Sequence, residues 1–194
     1  MPDAAIPCAW APPGDALYRA YHDTEWGVPE RNGRALWEKL MLDGMQAGLA
    51  WITILRKRET MRAAFEGFEP ARLATWGEPE IVAALENPGV IRSRAKISAL
   101  VGNARAFLQM EADGTPFGPY CWAWVGGAPV VNQWRASHEA PASTPLSTEI
   151  SKDLKRRGFK FVGPTIVYAW MQAVGLVNDH QTACPRHREV QALW

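Results

Sequence analysis

The chain has few cysteines, no long apolar run and almost no net charge. Three cysteines in 194 residues are too few for a disulfide scaffold and favour a reducing compartment. A net charge of +1 excludes a polycationic tail, although it leaves room for a local basic patch. The most apolar stretch, residues 161–177, contains Gly163, Pro164 and Gln172 and is too short for a membrane span. With no signal peptide at its start, the chain is predicted to be cytoplasmic and free of membranes.

Tryptophan and helical periodicity are abundant. Ten Trp residues are many for one small domain, and because a buried indole N–H needs a partner, we expect some to line a site. Residues 113–147 are rich in proline and loop-like, and strand alternation is not convincing anywhere. The sequence therefore predicts an all-α fold in a single domain over residues 1–194. Helices are predicted after Asp15, over 34–46, 51–65, 79–86 and 91–111, from a cap at Ser147 to Arg157, and over 164–174.

Borderline and soft metal ligands occur near both ends of the chain. His180 and Cys184 have the spacing that puts two side chains on one face of a helix. With Cys8 and His22 they would form a tetrahedral Cys2His2 zinc site, closed by four protein ligands and hence structural. The alternative is four unrelated residues, with His187 as a rival ligand.

A Pro-Gly turn separates two predicted helices. Helix, Asn87-Pro88-Gly89 turn and helix together predict a helix–hairpin–helix over about 79–111, whose backbone N–H groups can hold a DNA phosphate. No acidic residue occurs between positions 87 and 110. The alternative is a helix-joining turn with a solvated face. Two further basic segments, 56–62 and 151–162, are either solvated faces or part of one phosphate footprint. The candidate DNA contacts here are Gly89, Val90, Arg92 and Lys96.

Aromatic and acidic residues cluster in the N-terminal quarter. Asp43 lies among apolar positions of a predicted helix, where a carboxylate needs a partner. A cationic, N–H-bearing ligand between aromatic faces is one such partner, whereas ordinary core packing is the alternative for the aromatic residues. The other members of the cluster are Tyr18, Tyr21, Asp23, Glu25, Trp26 and Trp51.

Five segments of the chain resemble the bacterial DNA-3-methyladenine glycosylase I family of the helix–hairpin–helix superfamily. The resemblance implies an α-helical glycosylase fold with a zinc-binding lobe, about 1–30 and 176–194, that joins the two termini. It also implies one structural Zn²⁺ on Cys8, His22, His180 and Cys184. The segments are Cys8-Ala9-Trp10, YHDTEWGVPE from Tyr21, QAGLAWITIL from Gln46, NPGVIRSRAKI from Asn87, and RRGFKFVGPTIVYAWMQAVGLVNDH from Arg156.

The resemblance also implies a base-excision site for alkylated double-stranded DNA. The family's base pocket corresponds to Tyr18, Tyr21, Trp26 and Trp51. Its carboxylate, a Glu in the relatives, corresponds to Asp43, whose shorter side chain makes the contact to the base either direct or water-mediated.

A DNA-plugging loop is implied at Gln46 and Gly48, with Leu49 as the apolar wedge. Ser93 occupies the position of the lyases' Schiff-base lysine, which predicts a monofunctional glycosylase without strand cleavage. The size of the chain suits a glycosylase that acts as a monomer. Three alternative functions remain open. They are a DNA-binding module that is stabilised by zinc and has no catalytic activity, a glycosylase with another lesion range, and a zinc hydrolase.

Overall fold

The structure, a computed structural model, describes residues 8–194 and is built mostly of helices. Residues 1–7, which belong to the predicted zinc lobe, lie outside the described residues. The helices and strands are α1 Ala16–Thr24, α2 Gly33–Gln46, α3 Trp51–Ala64, α4 Pro70–Leu73, α5 Glu78–Glu86, α6 Arg94–Ala112, α7 Phe117–Ala123, β1 Val130–Val131, α8 Pro145–Arg156, α9 Pro164–Ala173, β2 Val177–Asn178 and α10 Arg186–Glu189.

Side-chain caps mark the starts of α1, α2 and α8. The carboxylate of Asp15 accepts hydrogen bonds from the first backbone N–H groups of α1, as predicted. The prediction of Ser147 as the cap of α8 is wrong by one turn. Thr144 is the N-cap and Ser147 is the third helical residue, and the two exchange hydrogen bonds as a capping box. Helix α6 begins at Arg94 rather than at 91, because Ser93 is extended.

One helix and one pair of strands in the C-terminal half were not expected. Helix α7 lies inside the predicted loop region, and β1 pairs in parallel with β2, although no strand was predicted. Each strand has two residues, so no alternation could show in the sequence. Strand β1 lies against the segment that precedes His180. The contact between the two segments extends beyond the strands, through a hydrogen bond from Thr182 N to Trp134 O.

Helix α2 is the centre of the molecule. It packs against α3, α6, α7 and α9 and is buried around most of its circumference, as expected for a central helix. Trp37 is fully buried, and the Nε1 of Trp170 donates to the carbonyl of Leu36. Because α2 is buried, it also carries Lys39 and Asp43 into the interior. Among the helices described, none is both long and apolar enough to cross a membrane.

Candidate active site

A cavity of about 360 Å³ opens beside α2. It is lined by the residues predicted for the base pocket, which are Tyr18, Tyr21, Trp26, Asp43 and Trp51, and also by Gln46. We call it the aromatic cavity. Other residues of its wall were not predicted from the sequence. Among them are Trp10, Lys39, Trp134, Gln172 and Asp179.

Edge-to-face contacts hold the aromatic walls in place. The Trp10 ring lies 4.8 Å from that of Trp26 and 5.6 Å from that of Tyr18, centroid to centroid. Tyr21 and Trp51 lie 5.3 Å apart with their planes tilted by 45°. Each such pair adds about 0.5–1.5 kcal/mol beyond the area that it buries. Trp10 lies two residues after Cys8, and that proximity to a predicted ligand was the signal that could have found it.

A buried ion pair occupies one wall of the aromatic cavity. The Nζ of Lys39 donates to Oδ1 of Asp43 at 2.6 Å and lies 4.1 Å from the ring centroid of Trp51. Burial raises the pKa of Asp43 and lowers the pKa of Lys39, and the attraction between the two groups offsets part of each shift. The i,i+4 spacing of the pair on one helix was a signal that the sequence offered.

Two buried polar atoms of the cavity residues have no hydrogen-bond partner among residues 8–194. They are Oδ2 of Asp43 and Nε1 of Trp51. Leaving a buried acceptor or donor unpaired costs about 1–3 kcal/mol. Both residues line the aromatic cavity, so one acceptor and one donor of its wall residues remain unpaired.

The Asp179 carboxylate has the opposite character. Its Oδ1 accepts from Asn132 at 2.6 Å, and its Oδ2 accepts from the Tyr168 hydroxyl at 2.6 Å and from Gln172 at 2.8 Å. The Trp134 indole donates to Oδ1 as well, at 2.9 Å. With four donors the carboxylate is fully satisfied, so it fixes the cavity wall. Its position next to His180 in the sequence was the signal for it.

The four predicted metal ligands come together in one buried group. The potential ligand atoms of Cys8, His22, His180 and Cys184 all lie within 4.8 Å of one another. We call this group the metal cluster. Sulfur and nitrogen atoms lie 3.6 Å apart for Cys8 and His180 and 3.7 Å apart for Cys184 and His22. Tetrahedral zinc with ordinary bond lengths requires about 3.6 Å between such ligands, so the geometry fits a metal ion of that kind.

The outward ring nitrogens of the metal cluster are also held. The Nε2 of His180 donates to the Trp26 carbonyl at 2.9 Å, and the Nδ1 of His22 lies 2.6 Å from the Asp23 carboxylate. Such partners fix the tautomer and the orientation of a ligating histidine. Gly27 has φ +81°, and a Cβ there would lie 2.9 Å from the His180 ring, so glycine is required.

Two other potential ligands stand apart from the metal cluster. The Nε2 of His187 bonds the carbonyl of Asn132, so the rival ligand has another role. Cys121 is a buried thiol in α7.

The loop between α2 and α3 is exposed at the mouth of the site. Leu49 keeps 40% of its surface exposed, whereas Gln46 lies next to Asp43 in the cavity wall. A further cavity of about 260 Å³ runs from Asp43 to Gly48 and Leu49. The predicted DNA contact Lys96 has a different partner here. Its Nζ donates to the carbonyls of Met45 and Ala47, so it closes the C-terminal end of α2.

The hairpin between α5 and α6 is anchored on α3. Lys57 donates to the carbonyl of Pro88, and the Thr60 hydroxyl donates to that of Gly89. A Cβ on Gly89 would lie 3.0 Å from Thr60, which explains the glycine. The side chain of Val90 is buried, so this candidate contact can present only its backbone, whereas Arg92 is exposed.

Most cations of the other two basic segments have partners within the protein. Arg58 pairs with Glu25, and Arg62 pairs with Glu38 and Glu59. In α8, Arg156 and Arg157 both pair with Asp153. Solvated, internally paired faces account for these segments better than a single phosphate footprint.

Comparisons with known proteins identify the family of the chain. The family model for methyladenine glycosylase matches residues 10–187, so the chain belongs to the methyladenine glycosylase family. It is 51% identical over 177 residues to DNA-3-methyladenine glycosylase 1 of Escherichia coli (strain K12), covering 91% of this chain and 94% of the relative. It is 46% identical over 179 residues to DNA-3-methyladenine glycosylase of Haemophilus influenzae, covering 92% and 96%.

Solved structures give the same result. A crystal structure of 3-methyladenine DNA glycosylase I superposes with a TM-score of 0.91 at 50% identity, covering 93% of this chain and 98% of that chain. The Staphylococcus aureus enzyme, solved to explain its recognition of 3-methyladenine, superposes with a TM-score of 0.89 at 35% identity. That match covers 92% of this chain and 94% of the other.

Proposed function

We propose that this protein is a DNA repair enzyme that hydrolyses the glycosidic bond of 3-methyladenine in alkylated double-stranded DNA. Family membership gives the class of reaction. The observation that carries the assignment to the aromatic cavity is the buried Asp43, whose Oδ2 is left without a partner among aromatic walls. Such a site suits a flat, electron-poor ring that carries N–H donors.

The mechanism begins with extrusion of the damaged nucleotide. Flipping costs a few kcal/mol, and less for a damaged base than for an intact pair. Methylation at N3 makes the adenine cationic, so the electron pair of the breaking C–N bond neutralises the departing base. No general acid is needed. Water adds to the sugar carbon and loses a proton to solvent, which leaves an abasic site.

The protein's part is to position and desolvate the base. Tyr21 and Trp51 offer ring faces, and Asp43 offers a carboxylate oxygen in the cavity wall. The bound base displaces water from this cavity, and electrostatic stabilisation is strongest where water is excluded. Exposed Leu49 fills the gap left by the flipped nucleotide, with Gln46 and Gly48 beside it. The hairpin at Gly89 and the side chain of Arg92 contact the phosphates. Lys96 acts indirectly, by holding the loop that carries Leu49.

The metal cluster would hold one zinc ion in a lobe that joins the two ends of the chain. Four protein ligands leave no open coordination position, so the ion would supply stability and not catalysis, which argues against a zinc hydrolase. Its residues contact the aromatic walls directly, since His180 packs 4.6 Å from Trp26. The lobe thus sets the position of that wall.

We further propose a single-domain protein that works as a monomer in the cytoplasm, where bacterial DNA is. We expect no strand cleavage, because Ser93 has no amine to form a Schiff base. The shorter Asp43 leaves room for other alkylated purines in the lesion range.

Release of bases from methylated duplex DNA tests the proposed function. We expect the wild type to release 3-methyladenine and Asp43→Asn to lose about 10²–10³-fold in rate, the size of effect known for one group aimed at transition-state charge. Asp43→Glu should retain activity. Each variant is first checked for native folding by circular dichroism. If the wild type shifts methylated DNA in a gel but releases nothing, the protein is a binding module.

A further inference from the structure

Lys39 stands where an alkylated base is expected to bind. Its Nζ lies 4.1 Å from the ring centroid of Trp51, 6.0 Å from that of Tyr21 and 2.6 Å from Oδ1 of Asp43. These are the aromatic faces and the carboxylate that the proposed function assigns to the base. The Lys39 ammonium group therefore already contacts the ring faces and the carboxylate that a cationic base would contact.

A second cavity lies on the other side of Lys39. It has a volume of about 350 Å³ and shares Tyr21, Lys39 and Ala173 with the aromatic cavity. Its wall includes the carboxylates of Glu25 and Glu38, and the charge of Glu25 already acts on Lys39. Arg58, which pairs with Glu25, opposes this attraction. Glu38 is already paired with Arg34 and Arg62, which line the same cavity, so Glu25 supplies most of the attraction on that side. Because Lys39 lines both cavities and a lysine side chain has four rotatable bonds, a change of rotamer can move its ammonium group from one cavity towards the other.

We propose that Lys39 determines specificity at this site by acting as a tethered competitor, which occupies the place of the base in the free protein and turns towards the second cavity when the base binds. The inference rests on the proposed function, because it takes an alkylated base as the ligand. It requires that the wild type bind the base more weakly than a protein without the competing ammonium group. A base that binds Trp51 and Asp43 only weakly does not displace Lys39, so the site does not accept it.

Isothermal titration calorimetry with free 3-methyladenine tests the proposal. Lys39→Gln removes the charge and shortens the side chain, whereas Lys39→Arg keeps the charge and stacks well on tryptophan. If Lys39 occupies the site in nine of ten molecules, Lys39→Gln should bind the free base about tenfold more tightly than the wild type. Lys39→Arg should bind it no more tightly. Lys152→Gln, which changes an exposed lysine on α8, is the matched control and should bind like the wild type.

Three results would overturn the proposal. Equal affinity of Lys39→Gln and the wild type means that the ammonium group does not compete, and weaker binding by Lys39→Gln means that Lys39 contacts the base. If none of the proteins binds the free base, then 3-methyladenine is not a ligand with which Lys39 could compete. If Lys39→Gln fails to fold, the variant Asp43→Asn is compared with the double variant Lys39→Gln/Asp43→Asn. Neither of these two proteins has an unpaired buried carboxylate at position 43. The proposal then requires tighter binding by the double variant.

Failure of this inference and failure of the proposed function are separable. A wild type that releases 3-methyladenine from DNA, together with equal affinities for the free base, defeats the inference alone. A wild type that releases nothing, while Lys39→Gln binds the free base more tightly, defeats the proposed reaction and leaves the competition intact.

Discussion

The metal cluster and the aromatic cavity lie side by side but treat their buried polar atoms in opposite ways. In the metal cluster, the outward nitrogens of His22 and His180 both have oxygen partners. In the aromatic cavity, Oδ2 of Asp43 and Nε1 of Trp51 have none within the described part of the chain. A group that the protein satisfies by itself stabilises the fold, whereas an unsatisfied group in a cavity wall costs stability and gains a partner when a ligand binds there. The difference separates structural chemistry from recognition chemistry.

Removing a ligand of the metal cluster should have the largest effect on stability. Structural zinc contributes about 10–16 kcal/mol of binding free energy in small zinc domains. Even a third of that, at about 2–4 °C per kcal/mol, lowers the Tm of Cys184→Ala by roughly 10 °C. Thermal unfolding by circular dichroism measures it, and a strong chelator should bring the wild type to the same Tm.

The matched control for that prediction is Cys121→Ala. It removes a buried thiol outside the metal cluster and should cost about 1–2 kcal/mol. If Cys184→Ala melts no lower than Cys121→Ala, then no metal ion stabilises this lobe.

Breaking the buried ion pair of the aromatic cavity should have the second-largest effect on stability. Lys39→Met leaves the Asp43 carboxylate buried and uncompensated, at a cost of about 3–5 kcal/mol. Lys39→Met/Asp43→Asn removes both charges, so we expect its free energy of unfolding to lie within about 1 kcal/mol of the wild type or above it. Urea unfolding measures all three proteins. A double variant that is about 2 kcal/mol or more less stable than the wild type would show that the pair exists for stability and not for recognition.

Asp179→Asn tests the part of the cavity wall in which the protein itself supplies all the hydrogen-bond partners. The amide puts an N–H₂ group among four donors, and we expect a loss of about 2–4 kcal/mol in urea unfolding. Asp113→Asn, at an exposed helix end, is the control and should stay within about 0.5 kcal/mol of the wild type. Equal stabilities of the two variants would mean that the Asp179 network does not hold the wall.

Leu49→Ala should have the smallest effect on stability, within about 0.5 kcal/mol, because the side chain is already exposed. Base release from methylated duplex DNA should nevertheless fall about tenfold, since the wedge offsets part of the few kcal/mol that flipping costs. Release from methylated single strands should change less. Leu17→Ala, a leucine equally exposed on α1, is the matched control. Similar losses on both kinds of DNA would contradict a wedge function for Leu49.

Much of the site could be predicted because its residue types are rare and chemically specific. Two Cys and two His near opposite ends of the chain predicted the metal cluster, and Asp43 among apolar neighbours predicted a carboxylate in need of a partner. The wall residues Trp134 and Asp179 could not be found in the same way. They reach the cavity through the parallel pairing of β1 and β2, which is two residues long and joins segments far apart in sequence.

Lys96 illustrates the limit of reasoning from charge. Its position in a basic segment after the hairpin predicted a phosphate contact, but its ammonium group closes the end of α2 instead. Charge patterning shows that cations are present, and only packing shows which carbonyls or carboxylates claim them. The same holds for Arg58 and Arg62, whose partners come from α2 and from the end of α1.

The sequence by itself determined the helical class, most helix starts, the ligand types of the metal cluster and the family. These follow from periodicity, capping residues and rare side chains, which are local properties. The tertiary structure decided which polar groups are satisfied and which are left for a ligand. It placed Lys39 on Trp51, gave Asp179 its four donors and left one oxygen of Asp43 alone. Burial and partnership depend on what the rest of the chain brings near, and no local pattern records that.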